Sequence, residues 1–78
     1  MIVYHVTTLK KLKRYLANGA IMPPVRAWEN EHWASVFSKQ TGRQIILRLK
    51  FPDDAPRLKG HKNHAYVLNE PYVELRNL

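Results

Sequence analysis

The sequence predicts an α+β fold, a small and mostly antiparallel sheet carrying two helices. Three observations carry this expectation. Leu9, Leu12 and Leu16 recur at helical spacing, and Trp33 and Phe37 do so again further on. Strict two-residue alternation appears at Ile45, Leu47, Leu49 and Phe51. Helical patterns fall early and strand patterns late, which fits antiparallel pairing better than a regular parallel βαβ arrangement.

The elements follow in order. Ile2 to Val6 is a short run rich in β-branched residues and reads as a buried strand. Thr8 is placed to cap the helix that starts at once, because its hydroxyl can accept from a free first-turn amide. That helix runs from about Leu9 to Asn18, with Lys10, Lys11, Lys13 and Arg14 around the rest of its circumference. Gly19 closes it. Ala20-Ile21-Met22 reads as a short extended segment, and Pro23-Pro24 stops any helix there. A second helix is expected from about Glu29 to Gln40, with Trp33, Phe37 and Val36 facing inward and Gly42 as terminator.

Gln44 to Phe51 is the clearest strand, apolar on one face and carrying Arg48 and Lys50 on the other. Pro52 to Pro56 breaks it. Residues 57–64, Arg-Leu-Lys-Gly-His-Lys-Asn-His, form a polar, cationic loop. Ala65 to Leu68 and Tyr72 to Leu75 read as strands joined by a turn at Asn69-Glu70-Pro71, with Val73 and Leu75 facing in. Repeats, low-complexity segments and linkers are absent, so residues 1–78 read as a single domain.

A chain of 78 residues buries a modest share of its surface, and a homodimer would add burial. The absence of cysteine excludes disulfides and thiolate metal sites and agrees with a cytoplasmic setting. No apolar run reaches the ~18 residues that a membrane-spanning helix requires. The N-terminal stretch lacks the pattern of a secretory signal. The expectation is therefore a soluble, cytoplasmic protein with no membrane partner.

Thirteen Lys and Arg against six Asp and Glu leave a net charge of +7. That balance suits an anionic partner, a nucleotide or nucleic acid, although a basic surface also serves solubility alone.

His5 and Thr7 are two apart on a strand, so both side chains point to one face at a strand end and could bond one ligand. The bland alternative is a histidine satisfied by backbone and a threonine helping to cap the helix. A second candidate is a basic surface of Lys10, Lys11, Arg48, Lys50, Arg57, Lys59 and Lys62. Such cations could neutralise phosphates, and Tyr66 could offer a stacking face. The alternative there is a solvated loop. His61 and His64 are a poor metal pair, without cysteine or acid to complete a ligand set, so no metal is expected. Trp33 and Phe37 read as core rather than as a ligand cage.

The stretch Tyr4-His5-Val6-Thr7, then Leu9, Leu12 and Leu16, then Asn18-Gly19-Ala20-Ile21-Met22-Pro23, resembles the opening of ADP-ribosyltransferase-like domains. The likeness is to the group that includes RNA 2′-phosphotransferases and DNA-modifying toxins. It extends loosely to Trp33–Phe37, Ile45–Phe51 and Ala65–Glu74. The resemblance implies a minimal form of that core and an NAD-like ligand or an RNA phosphate, with His5 and Thr7 beside the nicotinamide-side ribose. Trp28, Trp33 and Tyr66 are then candidates to stack on a ring. The family's late-strand glutamate has no counterpart in His64 to Leu68. Glu70 is the nearest carboxylate and completes a candidate catalytic set with His5 and Thr7. That departure leaves catalysis open, beside a non-enzymatic nucleic-acid-binding module and a small dimeric interaction protein with no ligand.

Overall fold

The computed structural model describes residues 1–58, 60 and 64–73. It is an α+β fold: β1 (Ile2–Thr7), α1 (Leu9–Asn18), β2 (Val25–Trp28), α2 (Glu31–Thr41), β3 (Ile45–Lys50) and β4 (Ala65–Leu68). The sheet order is β3-β1-β2-β4, and every pairing is antiparallel. Among the described residues no helix is long and apolar enough to cross a membrane.

Both helices are closed by local chemistry. Thr8 caps α1, its hydroxyl accepting from the Lys11 amide at 3.2 Å. Asn30 does the same for α2, accepting from the Trp33 amide at 3.0 Å. Gly19 and Gly42 follow the helices with φ of 72° and 71°, a left-handed conformation that glycine adopts without Cβ strain.

Strand parity divides the sheet into two faces. Val3, Leu47, Leu49, Val25, Ala27 and Leu68 point to one face. They pack there with Ile21, Phe51 and Tyr72, and Leu12 and Tyr15 of α1 lie against this cluster. Tyr4, Val6, Ile46, Arg48 and Trp28 point to the other face, where α2 sits. Trp28 meets Phe37 there with ring centroids 5.4 Å apart, and Ala34 is wholly buried.

Several expectations are corrected. The extended segment after α1 is not a strand at 20–22, because there only Ile21 makes a bridge, to Tyr72. The missed strand is β2, directly after the diproline. Proline forbids helix without forbidding extension, and Val25/Ala27 against Arg26/Trp28 already alternate buried and more exposed. The second helix starts at Glu31, so Glu29 precedes it in a loop. Its buried residue is Ala34, whereas Trp33 and Phe37 are half-buried. Leu9 and Leu16 stay exposed, since α1 packs through Leu12 and Tyr15 instead. At the last expected strand Tyr72 faces in, its hydroxyl accepting from the Lys50 amide at 2.9 Å, and Val73 is exposed. Glu74 and Leu75 lie outside the described residues.

Candidate functional site

The sheet is not continuously laddered at its centre. β1 pairs with β3 at all six positions, from Ile2↔Lys50 to Thr7↔Ile45. Its pairing to β2 is the single register position Tyr4↔Trp28. Beyond that pair the strands part, and the His5 ring enters the gap. Nδ1–H of His5 donates to the Arg26 carbonyl at 2.6 Å. A side chain thus ties β1 to β2 where backbone ladder bonds end.

That bond fixes the tautomer. With the proton on Nδ1, the neutral ring has its acceptor at Nε2. The Tyr15 hydroxyl donates to Nε2 at 3.3 Å, and the Thr7 hydroxyl donates to the Tyr15 oxygen at 3.3 Å. Tyr15 reaches this point because it lies four residues after Lys11, on the same face of α1. Both side chains are aimed by the Thr8 cap at the end of β1.

A cleft of about 340 Å³ opens at this split. His5, Lys11, Tyr15, Arg26, Trp28, Phe37 and Arg43 line it, among others. Three of these are cations and none is an acid. Arg43 is held by the end of α2: its carbonyl accepts from the Ser38 hydroxyl, and its guanidinium lies 5.7 Å from the Phe37 ring centroid. Burial pushes the His5 pKa below its usual value. The bond to Arg26 opposes this, while the charges of Lys11 and Arg43 push further down. The resting cleft therefore holds a neutral imidazole among fixed positive charges, an arrangement that favours an anion.

The expected site residues fare differently. His5 and Lys11 line the cleft. Thr7 does not reach it as a ligand group, because it is wholly buried and supports Tyr15 instead. Glu70 is not brought to His5. It sits in the turn after β4 and lines another cavity with Lys50, Phe51 and Tyr72. Lys10 is exposed on α1.

Of the basic stripe expected from Arg48, Lys50 and the 57–64 loop, the described cations lie apart. Arg48 and Lys50 belong to β3, and Arg57 bridges to Tyr66 of β4; these strands are opposite edges of the sheet. Arg57 also pairs with Glu29 at 3.4 Å and lies 4.8 Å from the Tyr66 ring centroid, over one face of that ring. Lys59, Lys62 and His61 lie outside the described residues. Among the described residues no cluster of His, Cys, Asp and Glu could hold a metal ion.

Sequence reasoning missed Tyr15, Arg26 and Arg43. Tyr15 carried a signal, its i, i+4 relation to Lys11. Arg43 carried a weaker one, its place directly after the Gly42 terminator.

A second cavity of about 270 Å³ adjoins the first and shares Trp28 and Phe37 with it. Its far side is Trp33 and His64, whose rings stack with centroids 4.3 Å apart and planes 13° from parallel. His64 is held by a hydrogen bond from Nδ1–H to the Glu29 carboxylate. The same hydrogen bond, with Arg57 beside it, holds the Glu29 pKa below the usual carboxylate range. Comparison of the chain with protein-family models, curated proteins and solved structures gave no match.

Proposed function

We propose that this domain binds a phosphate-bearing nucleotide, an NAD-like molecule or the phosphate end of an RNA, in the cleft where β1 and β2 part. The observation that supports this most is the conjunction at the split. His5, with its tautomer set by Arg26, faces a cleft lined by Lys11, Arg26 and Arg43 and, among the described residues, by no acid. The three cations supply charge for a phosphate, and the Arg guanidinium groups can meet its oxygens in pairs. Tyr15 and His5 supply polar contacts to a sugar. The sequence likeness of 4–23 to ADP-ribosyltransferase-like openings points to the same class of ligand and to the same strand end.

Such a site needs no metal and no second acid to bind. The cation set and the imidazole suffice for recognition, while Glu70 stands apart on another cavity. Nucleotide binding is favoured over the distributed basic surface because these cations and the imidazole share one cleft, whereas Arg48 and Lys50 on β3 stand at the opposite sheet edge from Arg57.

The test is a melting-temperature titration with NAD and with a short oligoribonucleotide carrying a terminal phosphate. A ligand of the folded state raises the melting temperature by mass action. Lys11→Ala and Arg43→Ala should each weaken binding roughly tenfold, as loss of one charge-assisted hydrogen bond would do. No shift with either ligand in the intact protein would overturn the reading.

A further inference from the structure

The two adjoining cavities differ sharply in chemistry. The cleft at His5 is lined by three cations. The second cavity is lined by Trp28, Trp33, Phe37 and His64, with Val36, Gly60 and Gln40, and among the described residues no Lys, Arg, Asp or Glu contributes. Among the described residues its polar side-chain groups include the Gln40 amide, the His64 imidazole and the indole N–H groups of Trp28 and Trp33. With Nδ1 engaged by Glu29, Nε2 is the ring nitrogen left to a ligand. The two cavities meet at Trp28 and Phe37, which line each.

We propose that the second cavity is a subsite for an uncharged planar heterocycle, a nucleobase, and that a single nucleotide spans both cavities. This deepens the nucleotide reading and rests on it for the phosphate end only. Three arguments carry it. First, the charge contrast assigns the anionic part of a ligand to one cavity and an uncharged part to the other. Second, the aromatic surfaces match a flat ring, because aromatic side chains stack on every base through its π-face. Third, at about 340 Å³ the cleft alone is near the small end of the ~300–1,000 Å³ usual for small-molecule sites, and the adjoining cavity of about 270 Å³ moves the pair well inside that range.

Glu29 has a defined part in this arrangement. It lies in the loop between β2 and α2, and its backbone amide donates to the His64 carbonyl at 2.7 Å. Its carboxylate takes the His64 side chain as well. His64 is thereby held against Trp33 from both its backbone and its ring, and the stacked pair forms a fixed wall rather than two independent side chains.

Calorimetric titration of the whole chain with three probes separates the parts: ribose 5-phosphate, adenosine and AMP. AMP should bind at least tenfold more tightly than ribose 5-phosphate, in keeping with ~1–3 kcal/mol for one base on aromatic walls. Trp33→Leu should remove that advantage and leave ribose 5-phosphate affinity unchanged. Gln40→Trp fills the cavity from an exposed helix position and should do the same, which keeps the test open if Trp33→Leu fails to fold. Equal affinity for AMP and ribose 5-phosphate, or an AMP advantage that survives a folded variant, would overturn the subsite while leaving the phosphate reading intact. Adenosine binding lost in Gln40→Trp, with no ribose 5-phosphate binding, would support the subsite and sink the phosphate reading. No binding of any probe would refute both.

Discussion

Replacing His5 by asparagine and by alanine separates its structural work from its place in the cleft. In histidine and asparagine alike a side-chain nitrogen stands two bonds from Cβ, so the asparagine amide can donate to the Arg26 carbonyl as Nδ1–H does at 2.6 Å. Asparagine cannot also reach Tyr15, and alanine reaches neither. The stability difference between the two variants is therefore the worth of the β1–β2 tie. An intramolecular hydrogen bond contributes ~0.5–1.5 kcal/mol net, and this one joins strands where ladder bonding has ended, so His5→Ala should fall about 1 kcal/mol below His5→Asn. For a domain of this size, that is a melting temperature lower by roughly 4–8 °C. Thermal unfolding and urea unfolding followed by tryptophan fluorescence measure it. Both variants should lose cleft ligand binding. Equal stability of the two, or a less stable asparagine variant, would refute the idea that the histidine ring ties the central strands.

The Tyr15 hydroxyl is the partner of a buried Thr7 hydroxyl, so Tyr15→Phe should cost ~1–2 kcal/mol. Thr7→Val should cost less, and the double variant should cost less than the sum; strict additivity in urea unfolding would contradict the network. Gly19→Ala meets no steric neighbour but must hold φ near 72°, so a loss of about 1–2 kcal/mol is expected from backbone strain alone, read by the same method. The His5 pKa is lowered on folding, so the unfolded chain takes up its proton first as pH falls. Stability owed to this group is intact above the ordinary histidine pKa of ~6.5 and declines as pH drops below it towards the folded value. His5→Asn should flatten that part of the pH–stability profile. The Glu29 pKa is lowered on folding too, so its stabilisation holds above the usual carboxylate range and is lost as pH falls through the folded value. Glu29→Gln should remove that acid-side slope, and an unchanged slope would count against the His64 bond.

Much of the frame was legible because local rules and tertiary packing agree there. Thr8 and Gly19 bound α1 as hydroxyl cap and left-handed terminator, and Ile45 to Lys50 alternates as a strand whose one face is buried. β2 was hidden because it has four residues, too few for its alternation to stand out, and follows Pro23-Pro24. Trp33 and Phe37 have the spacing of core residues, yet the small Ala34 takes the buried position and leaves the rings half out. No periodicity reports that choice, since it depends on how closely α2 approaches the sheet.

The site was legible at His5, and at Lys11 and Trp28 only as separate candidates. Its neighbours come from α1, β2 and the segment after α2, at sequence distances that carry no pattern. Lys11 looked like one of several surface cations until α1 turned it towards the strand end. Sheet order separates Arg48 and Lys50 from Arg57: β3 and the chain after it read as neighbours in sequence, whereas β1 and β2 lie between β3 and β4.

The charges of Lys11 and Arg43 disfavour the imidazolium form of His5, and the ligand proposed for this cleft is an anion. The most direct measurement is the His5 pKa by NMR, in the free protein and with saturating AMP. A bound phosphate offsets the cations and favours the imidazolium, so the His5 pKa should rise on binding. A His5 pKa that does not move while AMP is bound, or no AMP binding at all, would contradict an anion site at His5.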